Sequence, residues 1–260
     1  MAITIKSERE IELMAEAGKI LERVHNELEK ALHPGMSTKD IDTLGEEIIR
    51  SYGCIPSFLN YNGYPASICV SVNQEVVHGI PDKHRIIHEG DIVSLDAGVI
   101  YKGYHSDAAR THAVGEVSEE AKKLIQVTKE CFFEGIKYAK AGNHLFDISG
   151  AIGRYAEERG YGVVRDLCGH GIGTALHEAP EIPNYEVGRK GVKLRPGMTL
   201  AIEPMITMGD RKIAMLPDHW SICTRDGKPA AHFEHTLAVR NGKAEVLSSF
   251  SEIEKLEANY

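Results

Sequence analysis

Residues Gly90–Thr111 read GDIVSLDAGVIYKGYHSDAART. Ile92, Val93, Leu95, Val99 and Ile100 are strand formers, and Tyr101-Lys102-Gly103 carries turn chemistry, so the stretch is predicted to be a β-hairpin. A two-residue loop at Tyr101-Lys102 would set Asp96 directly opposite Asp107. Cross-strand partners share one face of the sheet, with Cβ atoms about 5 Å apart. Two aspartates that close repel unless a cation or a proton lies between them. Aspartate is also depleted in strands, so two on one hairpin call for a reason. The plain alternative is a polar, solvated hairpin face, but Leu95 and Ala97 read as interior.

Outward from the hairpin, the chain repeats itself. Gly35 and Gly142 stand 107 positions apart, and the same offset relates Asp40-Ile41 to Asp147-Ile148, Gly53 to Gly160, Gly90 to Gly197 and Asp96 to Glu203. Each match is weak by itself; one constant offset that carries acid onto acid predicts a duplicated α/β half, with the copies packed about a pseudo-twofold axis. The expected organisation is one domain over 1–260, with halves at about 8–115 and 118–247. The second half should then own a hairpin too. Gly197–Pro204 (GMTLAIEP) is one arm, and Ala230–Val239 (AAHFEHTLAV), with Glu234, is the other. Their long connector, Met205–Pro229, carries the sole tryptophan, Trp220.

Four helices are expected around these hairpins. Ser7 and Glu10 fit a capping box, and Ile11, Met14, Ala17, Leu21, Val24 and Leu28 follow helical spacing over 8–31. His33-Pro34-Gly35 stops that helix. Ser37 or Thr38 opens a second, which ends near Tyr52-Gly53. Ser118 opens a third, reaching about Lys140, and a fourth runs from about Phe146 to Glu158.

Composition narrows the class. The chain has 260 residues, 42% hydrophobic and 26% charged, as in ordinary globular proteins. Its net charge of −8 argues against independent nucleic-acid binding. Cys54, Cys69, Cys131, Cys168 and Cys223 are scattered without a CxxC pair, which points away from a disulfide framework or zinc knuckle and toward a reducing compartment. No apolar leader and no run of about 20 apolar residues is present, so neither export nor a membrane span is expected.

The pseudo-symmetry sets Asp96 and Asp107 of one half against Glu203 and Glu234 of the other. Four converging carboxylates are untenable without bound cations. Cys168–Gly173 (CGHGIG) offers a fifth ligand, because glycines flanking His170 let the backbone approach closely and aim the imidazole. Such an oxygen-rich set with one nitrogen suits Mn, Fe or Co better than structural zinc. Carboxylate-bridged metal pairs sit about 3.5–4 Å apart and generate a hydroxide nucleophile near neutral pH.

The string YNGYPASICVSVNQEVVHGIP (61–81), the Asp96–Asp107 spacing, GHGIG (169–173), LHEAP (176–180), IEP (202–204) and FEHT (233–236) together resemble the type I methionine aminopeptidases. The resemblance covers nearly the whole chain, and the absence of a Cys/His-rich N-terminal extension matches the short bacterial form. It implies the pita-bread fold, α/β (α+β), with two pseudo-twofold halves of antiparallel sheet and outer helices around a dimetal site. It implies that Asp107 and Glu234 bridge both metals, that Asp96 holds one, and that His170 with Glu203 holds the other. Glu203 would also handle the proton of the attacking water. His78 would contact the scissile amide nitrogen, and His177 the scissile carbonyl oxygen. Tyr61, Tyr64, Cys69 and Trp220 would line the methionine pocket. Leu176 stands where the family commonly has phenylalanine and Asn62 where histidine is frequent, both near that pocket.

Alternatives remain for several residues. His78 and His177 could be turn or capping histidines, and Tyr61, Tyr64 and Trp220 simple core. His235 should point to the opposite sheet face. The remaining histidines (25, 33, 84, 88, 105, 112, 144, 219 and 232) read as surface or turn residues, with His105 and His232 set apart because each lies two residues from an expected ligand. Arg189, Lys190, Lys193 and Arg195 read as a solvated loop. The competing functions are an Xaa-Pro aminopeptidase or prolidase of the same fold, and a metal-free binding protein of that fold. The expected substrate is a peptide beginning with Met and a small residue, hydrolysed in the cytoplasm by a monomer. Arg211, Lys212, Arg225 and Lys228 are the cations to test for weak ribosome contact, against the simpler reading of ordinary surface charge.

Overall fold

A computed structural model of the chain describes residues 2–248. Met1 and residues 249–260 of the expected domain lie outside the described residues. Helix α1 spans Glu8–Ala31 and opens with the expected capping box: the Ser7 N–H donates to Glu10 Oε2 at 2.7 Å, and the Glu10 N–H points back to Ser7 Oγ. Helix α2, Thr38–Ser51, repeats the device with Ser37 and Asp40. Helix α3 spans Glu119–Ile136 from a Ser118 cap, and α4 spans Leu145–Glu157. The end of α3 corrects the expected Lys140: the Tyr138 and Ala139 N–H groups donate to Gly135 and Ile136 as isolated turns.

A nine-stranded antiparallel sheet forms the centre. Its main path runs Ile55–Pro56, Ile92–Tyr101, Tyr104–Ala113, Glu234–Ala238, Thr199–Ile202, Gly169–Gly171, Glu178–Ile182; Ile68–Val72 pairs with the second of these and Glu245–Val246 with the fourth. Helices α1 and α2 pack their apolar stripes on the first hairpin, joining Leu21, Val24, Ile41 and Ile49 to Val93, Leu95 and Val99 in one core. Helices α3 and α4 cover the second pair, joining Leu124, Phe132 and Ile148 to Leu200, Ile202 and Leu237. Each such fully buried Leu, Ile or Phe contributes about 1.5–3 kcal/mol, so the helices are held by these faces more than by propensity.

The first hairpin forms, but two residues out of the expected register. Tyr101 pairs with Tyr104, so the loop is Lys102-Gly103, with φ of 49° and 85°. Positive φ at both positions is the primed turn that matches strand twist, and glycine takes it without a Cβ clash. Asp96 therefore faces Ala109, and Asp107 faces Gly98. The two aspartates are diagonal neighbours on one face rather than direct partners.

The second hairpin also forms. His235 lies opposite Ile202 and His232 opposite Met205, so one register runs through the break at Pro204 and Phe233 and sets Glu203 across from Glu234. The connector is not a plain loop: it contains Met205–Thr207, Ile213–Met215 and Ile222–Thr224 in two small sheets. Two threonines lock the seam between the hairpins. Thr236 Oγ1 accepts from the Asp107 N–H and donates to its carbonyl, and Thr111 Oγ1 does the same for His232, each bond 2.9 Å.

Candidate metal centre

Sheet order brings the five expected ligands together. Asp96, Asp107, Glu234, Glu203 and His170 lie on or one residue past five consecutive strands, and all five line one cavity of about 430 Å³. Asp107, His170 and Glu234 each turn a ligand atom toward one point, with those atoms within 4.8 Å of one another. His170 Nε2 is 3.6 Å from Glu203 Oε1, 3.9 Å from Asp107 Oδ2 and 4.0 Å from Glu234 Oε1. These separations are too long for direct hydrogen bonds and suit atoms sharing an ion.

The local chain explains each position. Gly169 and Gly171 flank His170, where a Cβ would fall 2.5 Å from the Ala201 carbonyl oxygen and 2.2 Å from that of Ala179. Only glycine permits this approach to both neighbouring strands. His170 Nδ1 lies 2.9 Å from the Gly171 carbonyl. A carbonyl only accepts, so Nδ1 carries the proton and Nε2 presents a lone pair to the centre. Asn184, fully buried, donates to the Glu203 carbonyl at 2.9 Å and fixes the strand end.

Electrostatics and unmatched atoms fit a cation site. Burial pushes Asp96 up to about 7 and raises Asp107, Glu203 and Glu234 well above the usual carboxylate range, with neighbouring carboxylates adding to the last three. The protein alone does not hold four charges here; divalent cations are what would. Asp96 Oδ1, Asp107 Oδ1 and Glu234 Oε1 are buried without a hydrogen-bond partner among the described residues. Burial, with His177 beside it, brings His170 down to about 3, so its imidazole is neutral and free to ligate.

The expected substrate residues line the same cavity: Tyr61, Tyr64, Cys69, His78, His177 and Trp220. Tyr64 is pinned by its hydroxyl, which donates toward the Gly79 and Ile68 carbonyls, and its ring meets Trp220 edge-on at 5.1 Å. His78 sits in left-handed backbone at φ 59°, and burial, then His177, brings it down to about 4. His177 is exposed at the cavity mouth, its ring 4.1 Å from that of His170 and stacked on Tyr61. Leu176 and Asn62, the two departures, also line the cavity, as does Phe58, which no motif singled out.

These observations describe a buried carboxylate-rich centre beside an apolar cleft, and the resemblance of the whole chain to known proteins agrees. Residues 12–241 match metallopeptidase family M24. The chain belongs to that family. It is 54% identical over 246 residues to a methionine aminopeptidase of Clostridium acetobutylicum, covering 95% of this chain and 98% of that one. It is 48% identical to methionine aminopeptidase 1 of Bacillus subtilis, covering 95% and 99%. The crystal structure of a methionine aminopeptidase from Thermotoga maritima superposes with a TM-score of 0.93 at 45% identity, covering 96% and 100%. The chain is thus an enzyme, a hydrolase that uses divalent metal, in the pita-bread fold expected from its sequence.

Several histidines depart from expectation. His25, His105 and His232 are buried rather than surface or turn residues. His25 continues the apolar stripe of α1 and its Nε2–H donates to the Ala108 carbonyl at 2.9 Å. His235 does face away from the centre, packed edge-on against Phe132. Arg211, Lys212, Arg225 and Lys228 are all exposed, and the Arg225 N–H donates to the Lys212 carbonyl.

Proposed function

We propose that this metallopeptidase removes an N-terminal methionine from peptides whose second residue is small. The observation that carries the reading is the aromatic and sulfur-lined cleft closing directly onto the five-ligand centre. An unbranched thioether fits such a cleft, which leaves the α-amine toward the ligands and no space for an upstream residue. Asp96, Asp107, His170, Glu203 and Glu234 would hold the divalent ions, and Mn, Fe and Co all suit the set. When bound, the ions polarise the scissile carbonyl and make water a competent nucleophile near neutral pH.

The chain's own residues do the rest. Glu203, its carboxyl raised by burial and by Asp107 and Asp96, would take the water's proton. His177 lies exposed at the cavity mouth, but the walls around its ring desolvate it enough to lower its pKa, and it would donate Nε2–H to the carbonyl oxygen as charge develops. His78 contacts the departing nitrogen. A bulky second residue between His78 and His177 would displace the carbonyl. Buried Cys69 stays a thiol, because burial and then Asp96 raise it.

The chain is read as one duplicated catalytic domain acting as a monomer in the cytosol, in keeping with five free cysteines and no membrane-spanning helix among the described residues. Contact with ribosomes through Arg211, Lys212, Arg225 and Lys228 is the outermost part of the reading. Salt-dependent co-sedimentation that survives neutralising all four would remove it. The central test is kcat/KM on Met-Ala-Ser, Met-Leu-Ser, acetyl-Met-Ala-Ser and Leu-Ala-Ser, with the first fastest and the acetylated peptide inert. Comparable cleavage of Met-Leu-Ser would refute the small-neighbour rule. Preference for Xaa-Pro peptides would transfer the case to the proline-directed reading, and no metal-restored activity to the binding-protein reading.

A further inference from the structure

His232 sits against the centre but belongs to none of the roles above. It is 2% exposed, and neither ring nitrogen has a hydrogen-bond partner among the described residues. Its Nε2 lies 3.8 Å from Glu203 Oε2 and 3.8 Å from Glu234 Oε2. The two glutamates turn their Oε1 atoms toward His170 and their Oε2 atoms toward His232. They run as two rails between two imidazoles. The ring is delivered by a fixed backbone, since Thr111 Oγ1 clamps both the N–H and the carbonyl of His232, and the Ser94 hydroxyl backs Thr111 at 2.8 Å.

We propose that His232 is a positioning residue that donates Nε2–H to Glu203 Oε2 and so holds Glu203 with its other oxygen turned to the ions. The inference rests on the metal-centre reading given above. A buried imidazole with two unmatched nitrogens is costly unless one of them meets an acceptor, and the nearest acceptors are these carboxylates. Glu203, His232 and Glu234 also stand close enough to hold an ion, but where the Gly171 carbonyl takes Nδ1–H of His170 and leaves its Nε2 as a lone pair, nothing takes Nδ1 of His232, so its Nε2 is free to carry the proton, and a shift of under 1 Å closes the 3.8 Å gap to a hydrogen bond. Ligating carboxylates are themselves hydrogen-bonded, and losing such a partner typically costs about 10–100-fold in metal affinity or activity. Glu203 has the most to lose, because it both ligates and takes the proton. A carboxylate free to rotate would do neither in one fixed geometry.

The test compares His232→Gln, which keeps an N–H donor, with His232→Leu, which keeps bulk and removes it. Co²⁺ affinity is measured by titration calorimetry and steady-state kinetics on Met-Ala-Ser, with thermal melts reporting folding. His232→Leu should weaken Co²⁺ about tenfold and lower kcat about 10–100-fold with KM within about threefold, while His232→Gln stays within about threefold of the native protein in both. Unchanged affinity and kcat in His232→Leu would overturn the proposal. So would paramagnetic NMR of the Co²⁺ protein showing two coordinated imidazoles, because His232 would then be a ligand. Should the native protein fail to cleave Met-Ala-Ser, the functional reading falls, and the Co²⁺ affinities and imidazole count still decide this one.

Discussion

The Tyr61 hydroxyl lies 2.8 Å from Nδ1 of His177, joining residues 116 positions apart in the chain. Burial raises the Tyr61 phenol, so it stays protonated and is able to donate to Nδ1. With Tyr61 as donor, His177 accepts at Nδ1 and carries its own proton on Nε2, the tautomer that can donate to a developing oxyanion. Tyr61 is therefore more than pocket lining. Tyr61→Phe keeps the stacked ring but frees the tautomer, and kcat should fall about tenfold with KM little changed. His177→Ala should cost about 10²–10³ in kcat. A Tyr61→Phe enzyme with native kcat would show that the hydroxyl does not set the tautomer.

Metal loading should couple to pH. In chelated protein Asp96 is raised to about 7, and Asp107, Glu203 and Glu234 are raised too, so the folded state binds protons that the unfolded state has released. Stability from a raised carboxyl is present at low pH and declines as pH rises between the unfolded value, near 4, and the folded one. Chelated Tm should therefore fall from pH 5 to pH 7. Bound ions hold the carboxylates ionised, so loading releases protons and removes that slope. The Tm gain on adding Mn²⁺ should be larger at pH 7.5 than at pH 5.0. Equal gains at both would contradict the assigned ligands, as would full activity in Asp107→Asn.

The Ser7–Glu10 capping box, the helix start at Ser37 or Thr38 and the strand positions of the carboxylates were legible, because each depends on local sequence. Ser7 with Glu10 and Ser37 with Asp40 act within one helical turn. The hairpin register differs from the expected one, and Gly103 carries the signal for it: glycine second in the loop favours Lys102-Gly103 over Tyr101-Lys102. His25 was also legible, lying four residues after Leu21 on the buried stripe of α1. The Tyr61–His177 bond, the Thr236 and Thr111 clamps and the approach of His232 to Glu203 were not. Each joins segments whose neighbourhood is set only when the sheet closes, and no local period encodes it.

His78 holds a left-handed conformation, φ 59°, that costs an ordinary residue about 1–2 kcal/mol. The next residue fixes the site, since a Cβ on Gly79 would fall 2.3 Å from the Val70 carbonyl oxygen. Strain at a residue assigned to the leaving nitrogen implies that function, not stability, keeps histidine there. His78→Gly should therefore be more stable than His78→Ala by about 1 kcal/mol, although glycine usually weakens a fold. Both should lose kcat to a similar degree. Denaturant melts and kinetics on the pair check this, and an Ala variant as stable as the Gly variant would mean that the backbone relaxes.

Leu176 is the residue through which methionine preference should be adjustable. It is 2% exposed, lines the cavity and packs in one cluster with Phe58, Tyr64, Cys69 and Trp220. A contact there with the substrate side chain would be the same before and during reaction and so would contribute uniform binding. Leu176→Met conserves volume and should change kcat/KM for Met-Ala-Ser by less than about threefold. Leu176→Ala opens the cleft, and a lost apolar contact of about 1–3 kcal/mol should raise KM by about 10–100-fold with kcat nearly kept. The same opening admits a larger first residue, so Phe-Ala-Ser should gain relative to Met-Ala-Ser. The fold should lose about 2–5 kcal/mol, so assays belong well below the variant's own Tm. A Leu176→Ala enzyme that loses kcat and keeps KM would place Leu176 behind the metal centre rather than in the methionine cleft, and the specificity pocket would then rest on the aromatic residues alone.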